Sequence, residues 1–148
     1  MLTNSCANIT ATHSAALRQA SARPTTLANL LLIEHDDDCA DALDVLLRAL
    51  PGVRSVRVAS SAQQALAALM HGQLPDMILL DACRGDVPLI TALQALRVAA
   101  PRAVIVLLAV YPEALLPQVA TLVDATISKD TRRSELVEVL ERLRAAHD

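Results

Sequence analysis

The chain has 148 residues, a formal net charge of −3 and 53% hydrophobic residues, which fits one domain with a sizeable core and excludes disorder over most of its length. It has no Trp or Phe, one Tyr and no visible basic face, so direct binding to nucleic acid is not expected. No apolar stretch approaches the ~20 residues of a membrane span, and three scattered cysteines fit a reducing compartment, so we expect a cytoplasmic protein that does not enter a membrane.

The first part of the chain differs in composition from the rest. Residues 1–26 are rich in Ser, Thr and Ala and contain no acidic residue, and we interpret them as a disordered leader. From residue 27 to 148 we predict one folded domain, in which short apolar runs alternate five times with amphipathic stretches. The predicted strands are 30–33, 53–59, 77–80, 103–109 and 125–128, and the predicted helices are 40–50, 60–70, 87–99, 112–119 and 134–145. This alternation predicts an α/β fold with a five-stranded parallel sheet.

Polar residues stand where three of the predicted strands end. The acidic cluster 34–38 follows the first strand, Asp81 closes the third, and Lys129, the only lysine of the chain, closes the fifth. The carboxyl ends of parallel strands share one edge, and open α/β sheets build their sites at that edge. We therefore expect carboxylates and one ammonium group to converge there, with Asp81 as a possible phosphoryl acceptor.

Residues 28–146 resemble the receiver domains of two-component response regulators. Four features carry the resemblance: acids after the first strand, the segment Leu74–Asp81, the pair Leu96-Arg97 at the end of the third helix, and Lys129-Asp130 after the fifth strand, as in the NarL/LuxR-like branch. The resemblance implies the flavodoxin-like, doubly wound (βα)5 fold with strand order 2-1-3-4-5. It also implies a signalling module and not an enzyme.

The resemblance assigns a role to each polar residue at this edge. Asp81 is the implied phosphoacceptor, and Lys129 is the implied partner of the phosphoryl group. Mg²⁺, which prefers oxygen ligands, is the implied cofactor. Its implied ligands are Glu34, Asp81, the backbone carbonyl of Cys83 and, if the loop slips by one residue, Asp36. The alternative for Asp36 is that one of the three aspartates at 36–38 caps the first helix.

Three positions depart from the family pattern. His35 stands in place of the main metal-binding carboxylate, Leu108 in place of the switch hydroxyl, and Thr126 in place of the aromatic switch. Neutral imidazole is a poor ligand for Mg²⁺ and suits transition metals better. A soft-metal site of His35, Asp81 and Cys83 is a minor alternative. These departures indicate an atypical receiver.

Two functions follow from the sequence. The first is a stand-alone receiver that takes a phosphoryl group from a histidine kinase or phosphotransfer protein. It would act on a downstream protein through the face of helix 4, strand 5 and helix 5, as a monomer or weak dimer. The second is a degenerate pseudo-receiver that binds partners without phosphorylation. A small metal-dependent hydrolase is disfavoured, because only three glycines are present and no phosphate-cradling loop can be built.

Overall fold

The computed structural model describes residues 28–82 and 88–147. The predicted leader and the predicted carbonyl ligand Cys83 lie outside the described residues. Strands and α-helices alternate in the order β1 Asn29–Ile33, α1 Asp37–Arg48, β2 Ser55–Ala59, α2 Ala62–Leu69, β3 Met77–Asp81, α3 Leu89–Ala99, β4 Val104–Ala109, α4 Pro117–Ala120, β5 Ala125–Ser128 and α5 Arg133–His147. A 3₁₀ turn, Pro112–Ala114, precedes α4.

The five strands form one parallel sheet in the order β2-β1-β3-β4-β5. This confirms the predicted fold class and the predicted strand order. In the register of the sheet, Ile33 lies opposite Leu80, and Asp81 lies opposite Leu108. The carboxyl ends of β1, β3 and β4 are therefore nearly level, which brings the residues after these strands to one edge.

The sheet separates two apolar clusters because successive side chains of a strand point to opposite faces. One cluster lies against α1 and α5 and includes Leu32, Leu79 and Val106 from the strands. The other lies against α2, α3 and α4 and includes Leu31 and Ile78. Both faces of the sheet are therefore covered, which explains why the strands are apolar runs without a polar alternation.

The chain enters the sheet at the edge opposite the carboxyl ends of the strands. Asp76 Oδ2 accepts hydrogen bonds from the backbone amides of Ala28, at 3.1 Å, and Asn29, at 2.9 Å. The Ala28 carbonyl in turn accepts the amides of Arg54 and Ser55. These bonds tie the amino ends of β1, β2 and β3 together.

Most elements begin or end one to three residues away from their predicted bounds, and two of the differences have a clear physical cause. Strand β2 begins at Ser55 and not at residue 53, because the Val53 amide is used in a turn to the Leu50 carbonyl. The predicted helix 112–119 is split into the 3₁₀ turn and the short α4, which has Pro117 in its first turn. Proline cannot donate a helical hydrogen bond but is accepted where a helix begins. Among the described helices, none is long and apolar enough to cross a lipid bilayer.

Candidate functional site

Two acidic side chains are buried side by side at the carboxyl edge of the sheet. Glu34 directly follows β1, and Asp81 is the last residue of β3. Their side chains are 0% and 3% exposed, respectively. Carboxylates are rarely buried without a partner, because removal from water disfavours their charged form. We therefore expect positively charged or hydrogen-bonding groups next to these two carboxylates.

Lys129 bridges the two carboxylates from the end of β5. Its Nζ lies 3.0 Å from Asp81 Oδ1 and 3.3 Å from Glu34 Oε1, and its side chain is only 20% exposed. Its backbone amide donates to the Ala109 carbonyl, which fixes the turn after β5 against β4. One ammonium group thus serves two buried acids, and the three predicted residues meet as the strand ends indicated.

His35 approaches the same pair from the solvent side. Its Nδ1 lies 3.0 Å from Asp81 Oδ2 and 3.6 Å from Glu34 Oε2, and its side chain is 47% exposed. Sequence reasoning considered His35 beside Asp81 only in the minor soft-metal alternative with Cys83, and left Glu34 out of that set. The signal was available, since His35 follows Glu34 directly at the edge where β3 also ends.

The surroundings of the site raise the pKa values of both Glu34 and Lys129, which disfavours the charged form of the acid and favours that of the lysine. Burial, followed by the hydrogen bond and negative charge of Asp81, raises the pKa of Glu34 above 4.5. Burial works against the charged form of Lys129, but the two carboxylates outweigh it and raise the pKa of the Lys129 ammonium above 10.5. Lys129 therefore stays charged at neutral pH, whereas ionisation of Glu34 is less favourable than that of a glutamate in water.

Asp36 is used at the start of α1 and does not join the buried acids. Its Oδ1 accepts the backbone amide of Cys39 at 2.9 Å, and this bond lowers the pKa of Asp36. Its own amide donates to Glu34 Oε2 at 3.3 Å. Within the described residues, the ligand atoms that come within 4.8 Å of one another belong to Glu34, His35 and Asp81.

The two predicted switch positions carry no group that could take the family role. Leu108 lies opposite Asp81 in the sheet, and its buried side chain packs in the cluster under α1 and α5. Thr126, in β5, is partly buried and lies opposite Leu107. The β4 position opposite Asp81 thus carries an apolar side chain that cannot donate a hydrogen bond.

The donor set fits Mg²⁺ poorly. Mg²⁺ demands a near-octahedral shell of oxygen atoms and retains several waters. Here one of the three converging side chains is an imidazole, and the next acid, Asp36, is engaged as a helix cap. The described side chains therefore supply two carboxylates and one nitrogen, which is a different chemistry from an all-oxygen site.

Comparison with known proteins identifies the fold. No family model and no curated protein matches the sequence. A CheY-like response regulator receiver domain from Methylobacillus flagellatus superposes with a TM-score of 0.66 at 22% identity, over 77% of this chain and 96% of that chain. A LuxR family DNA-binding response regulator from Silicibacter pomeroyi gives 0.64 at 24% identity, over 76% and 87%. The response regulator TrrA from Thermotoga maritima, solved in complex with Mg²⁺ and BeF, gives 0.69 at 20% identity, over 79% and 99%.

The similarity defines the class of fold to which the chain belongs. The neighbours are CheY-like receiver domains of response regulators, and the chain has their five-stranded architecture over nearly their whole length. The predicted resemblance is confirmed at this level. At identities of 20–24% the similarity shows the fold alone, so the function must be argued from the site.

Proposed function

We propose that the chain is a receiver-type signalling module in which Asp81 accepts a phosphoryl group from a phosphohistidine of a histidine kinase or phosphotransfer protein. The observation that carries the proposal is the placement of the Asp81 carboxylate at the carboxyl edge of the sheet, 3.0 Å from the Lys129 ammonium. Phosphoryl transfer depends mainly on positioning and on neutralising charge. A carboxylate held at a strand end beside a partly buried ammonium group supports both requirements.

A carboxylate oxygen of Asp81 attacks the phosphorus atom, and the bond from phosphorus to the donor imidazole nitrogen breaks. The electron pair of that bond remains on the imidazole, which takes up a proton from solvent and leaves as a neutral ring. Asp81 becomes an acyl phosphate. Lys129 would then face a phosphoryl group of about −1.5 to −2 charges in place of a single carboxylate charge.

The output of such a module would be a protein contact. The segment between β4 and β5 exposes several large apolar side chains, namely Val110, Tyr111 and Leu116. It leads directly into α4, which belongs to the face of helix 4, strand 5 and helix 5 where the sequence predicted a downstream partner. Exposed apolar groups of this kind are common at protein interfaces, and they support a partner surface that the phosphoryl group would influence.

A pseudo-receiver is the second candidate, and Leu108 is the observation that favours it. In the adjacent strand, a phosphoryl group on Asp81 would find the buried, apolar Leu108 at the position where a hydroxyl would otherwise hold it. In this case the face around α4 would bind its partner constitutively. The two candidates differ in one measurable property, which is whether Asp81 becomes phosphorylated.

The proposal is tested by intact-mass measurement after incubation with acetyl phosphate, with Mg²⁺ and with Mn²⁺ in parallel samples. We expect one phosphate adduct on the wild type, none on Asp81→Asn, and an undiminished adduct on Asp130→Asn, which removes an exposed acid near the same edge. No adduct on folded wild type with either ion would favour the pseudo-receiver. An adduct that persists in Asp81→Asn would show that another residue is the acceptor.

A further inference from the structure

Three donor atoms of the site face one another on the side away from Lys129. Lys129 takes one oxygen from each acid, Asp81 Oδ1 and Glu34 Oε1. The other oxygens, Asp81 Oδ2 and Glu34 Oε2, lie 3.0 Å and 3.6 Å from His35 Nδ1. The ammonium group thus orients both carboxylates, and their outer oxygens are directed to the imidazole.

The spacing of these atoms matches that of ligands around a metal ion. Metal–ligand bonds to histidine nitrogen and carboxylate oxygen are about 2.0–2.2 Å long. Neighbouring ligands around an ion at that distance lie roughly 3.0–3.6 Å apart, for octahedral to tetrahedral angles. Both separations from His35 Nδ1 fall within this range, and ligand atoms of all three residues lie within 4.8 Å of one another, close enough to share one ion.

The chemistry of the three donors selects a class of ion. An imidazole nitrogen with two carboxylate oxygens suits first-row transition metals, whereas Mg²⁺ is selected by oxygen alone. Glu34 and Asp81 carry two negative charges against the single positive charge of Lys129, so a dication finds a net attractive site. His35, being half exposed, provides the route of entry and leaves room for water as a further ligand.

We propose that Glu34, His35 and Asp81 form a binding site for a divalent transition-metal ion, for which Zn²⁺ and Co²⁺ are the probes, in preference to Mg²⁺. The replacement of an acid by His35 is then a change of metal specificity and not simply a loss of the cation site. The inference does not depend on phosphoryl transfer, because it concerns the unmodified protein.

The test is a set of titrations of the full chain with Zn²⁺, Co²⁺ and Mg²⁺, followed by calorimetry and by the visible absorption of bound Co²⁺. We expect one ion per chain, with Zn²⁺ and Co²⁺ bound at least tenfold more tightly than Mg²⁺. His35→Asp should weaken Co²⁺ binding about tenfold or more and strengthen Mg²⁺ binding, reversing the preference. His71→Ala removes an exposed histidine beyond the end of α2 and should leave all affinities unchanged.

Three results would overturn the inference. The first is equal binding of Mg²⁺ and Zn²⁺ by the wild type. The second is unchanged Co²⁺ affinity in His35→Asp, provided that circular dichroism shows the variant to be folded. The third is a near-ultraviolet thiolate-to-cobalt band that Cys39→Ser abolishes together with binding, which would place the ion on the exposed thiol. No phosphoryl donor is present, so failure here is distinct from failure of Asp81 to be phosphorylated.

Discussion

Asp81 has its two carboxylate oxygens held by different side chains. Oδ1 faces the Lys129 ammonium and Oδ2 faces the His35 imidazole. Glu34 contacts the same two groups through its own carboxylate oxygens. Two buried acids share one lysine, and such an arrangement costs stability unless a further positive charge arrives. Perturbed acids of this kind are concentrated at functional sites, where the positive charge comes with the ligand.

The raised pKa of Glu34 leads to a prediction on stability. Between 4.5 and its raised pKa, the folded state binds more protons than the unfolded state, so stability contributed at low pH is lost as the pH rises through this window. Glu34→Gln cannot ionise, so it removes the pH-dependent loss of stability caused by the buried Glu34 carboxylate. The contact of Lys129 with Asp81 stays in place. We expect the variant to be more stable than wild type at pH 7 in metal-free buffer.

Urea denaturation at several pH values checks this expectation. The advantage of Glu34→Gln should shrink as the pH is lowered toward 4.5, where the unfolded glutamate itself begins to bind protons. A variant less stable than wild type at pH 7 would mean that the ion pair of Glu34 with Lys129 outweighs the cost of burying the acid.

The residues of the site were predictable from strand ends, but their contacts were not. Glu34, Asp81 and Lys129 were expected together because parallel strands finish at a common edge. Spacing along the sequence does not fix side-chain rotamers, so the bridge made by Lys129 to both acids could not be foreseen. For Asp36 the sequence left open a role as metal ligand or as helix cap. The first turn of α1 needs a hydrogen-bond acceptor, and the Asp36 carboxylate supplies it to the Cys39 amide.

At the scale of elements, the start of α1 is joined to the site through three successive residues. The Asp36 amide donates to Glu34 Oε2, and the Asp36 carboxylate accepts from the Cys39 amide. The N-cap residue of α1 therefore also forms a hydrogen bond to an acid of the site. The same capping chemistry without a link to the site occurs in α2, where Ser61 Oγ accepts the Gln64 amide at 3.0 Å.

This pair of caps gives a matched prediction. Asp36→Ala and Ser61→Ala should each destabilise the protein to a similar extent, because each leaves a first-turn amide without its acceptor. Neither substitution should change the affinity for Co²⁺, as neither residue belongs to the three donors. Denaturation and cobalt titration of both variants check this. A tenfold loss of Co²⁺ affinity in Asp36→Ala alone would show that Asp36 enters the site, which was one of the two alternatives left open by the sequence.

The type and order of the elements were predictable, whereas two of their bounds depended on tertiary contacts. Apolar runs and amphipathic stretches indicated all five strands and five helices. The start of β2 is set by its pairing with β1, which begins at Ser55 opposite Asn29. The segment before β5 contains two prolines and forms a 3₁₀ turn that begins at Pro112 and a short helix that begins at Pro117. Local residue preference alone does not decide where one element ends and the next begins.

At the scale of the whole molecule, the sheet divides the apolar core into two parts. Val139 of α5 belongs to one cluster, and Ile78 of β3 belongs to the other, on the far face of the sheet. The side chains share no cluster, so a cavity made in one should not be relieved by repacking in the other.

Additivity of substitutions checks this division. Val139→Ala should cost about 2 kcal/mol and Ile78→Val about 1 kcal/mol. The double variant should equal their sum within about 0.5 kcal/mol in urea denaturation. A larger coupling would show that strain passes through the sheet, and that the two clusters behave as one core.

The anchoring of Ala28 and Asn29 by Asp76 has a practical consequence for handling the protein. These bonds lie at the amino end of β1, so a strand length of roughly 16 Å separates them from the carboxyl edge that holds Asp81. A fluorophore or affinity handle attached at residue 28 would therefore lie at the opposite end of the strands from the Asp81 carboxylate. Immobilisation through that end would present the acidic pocket to the surrounding solution.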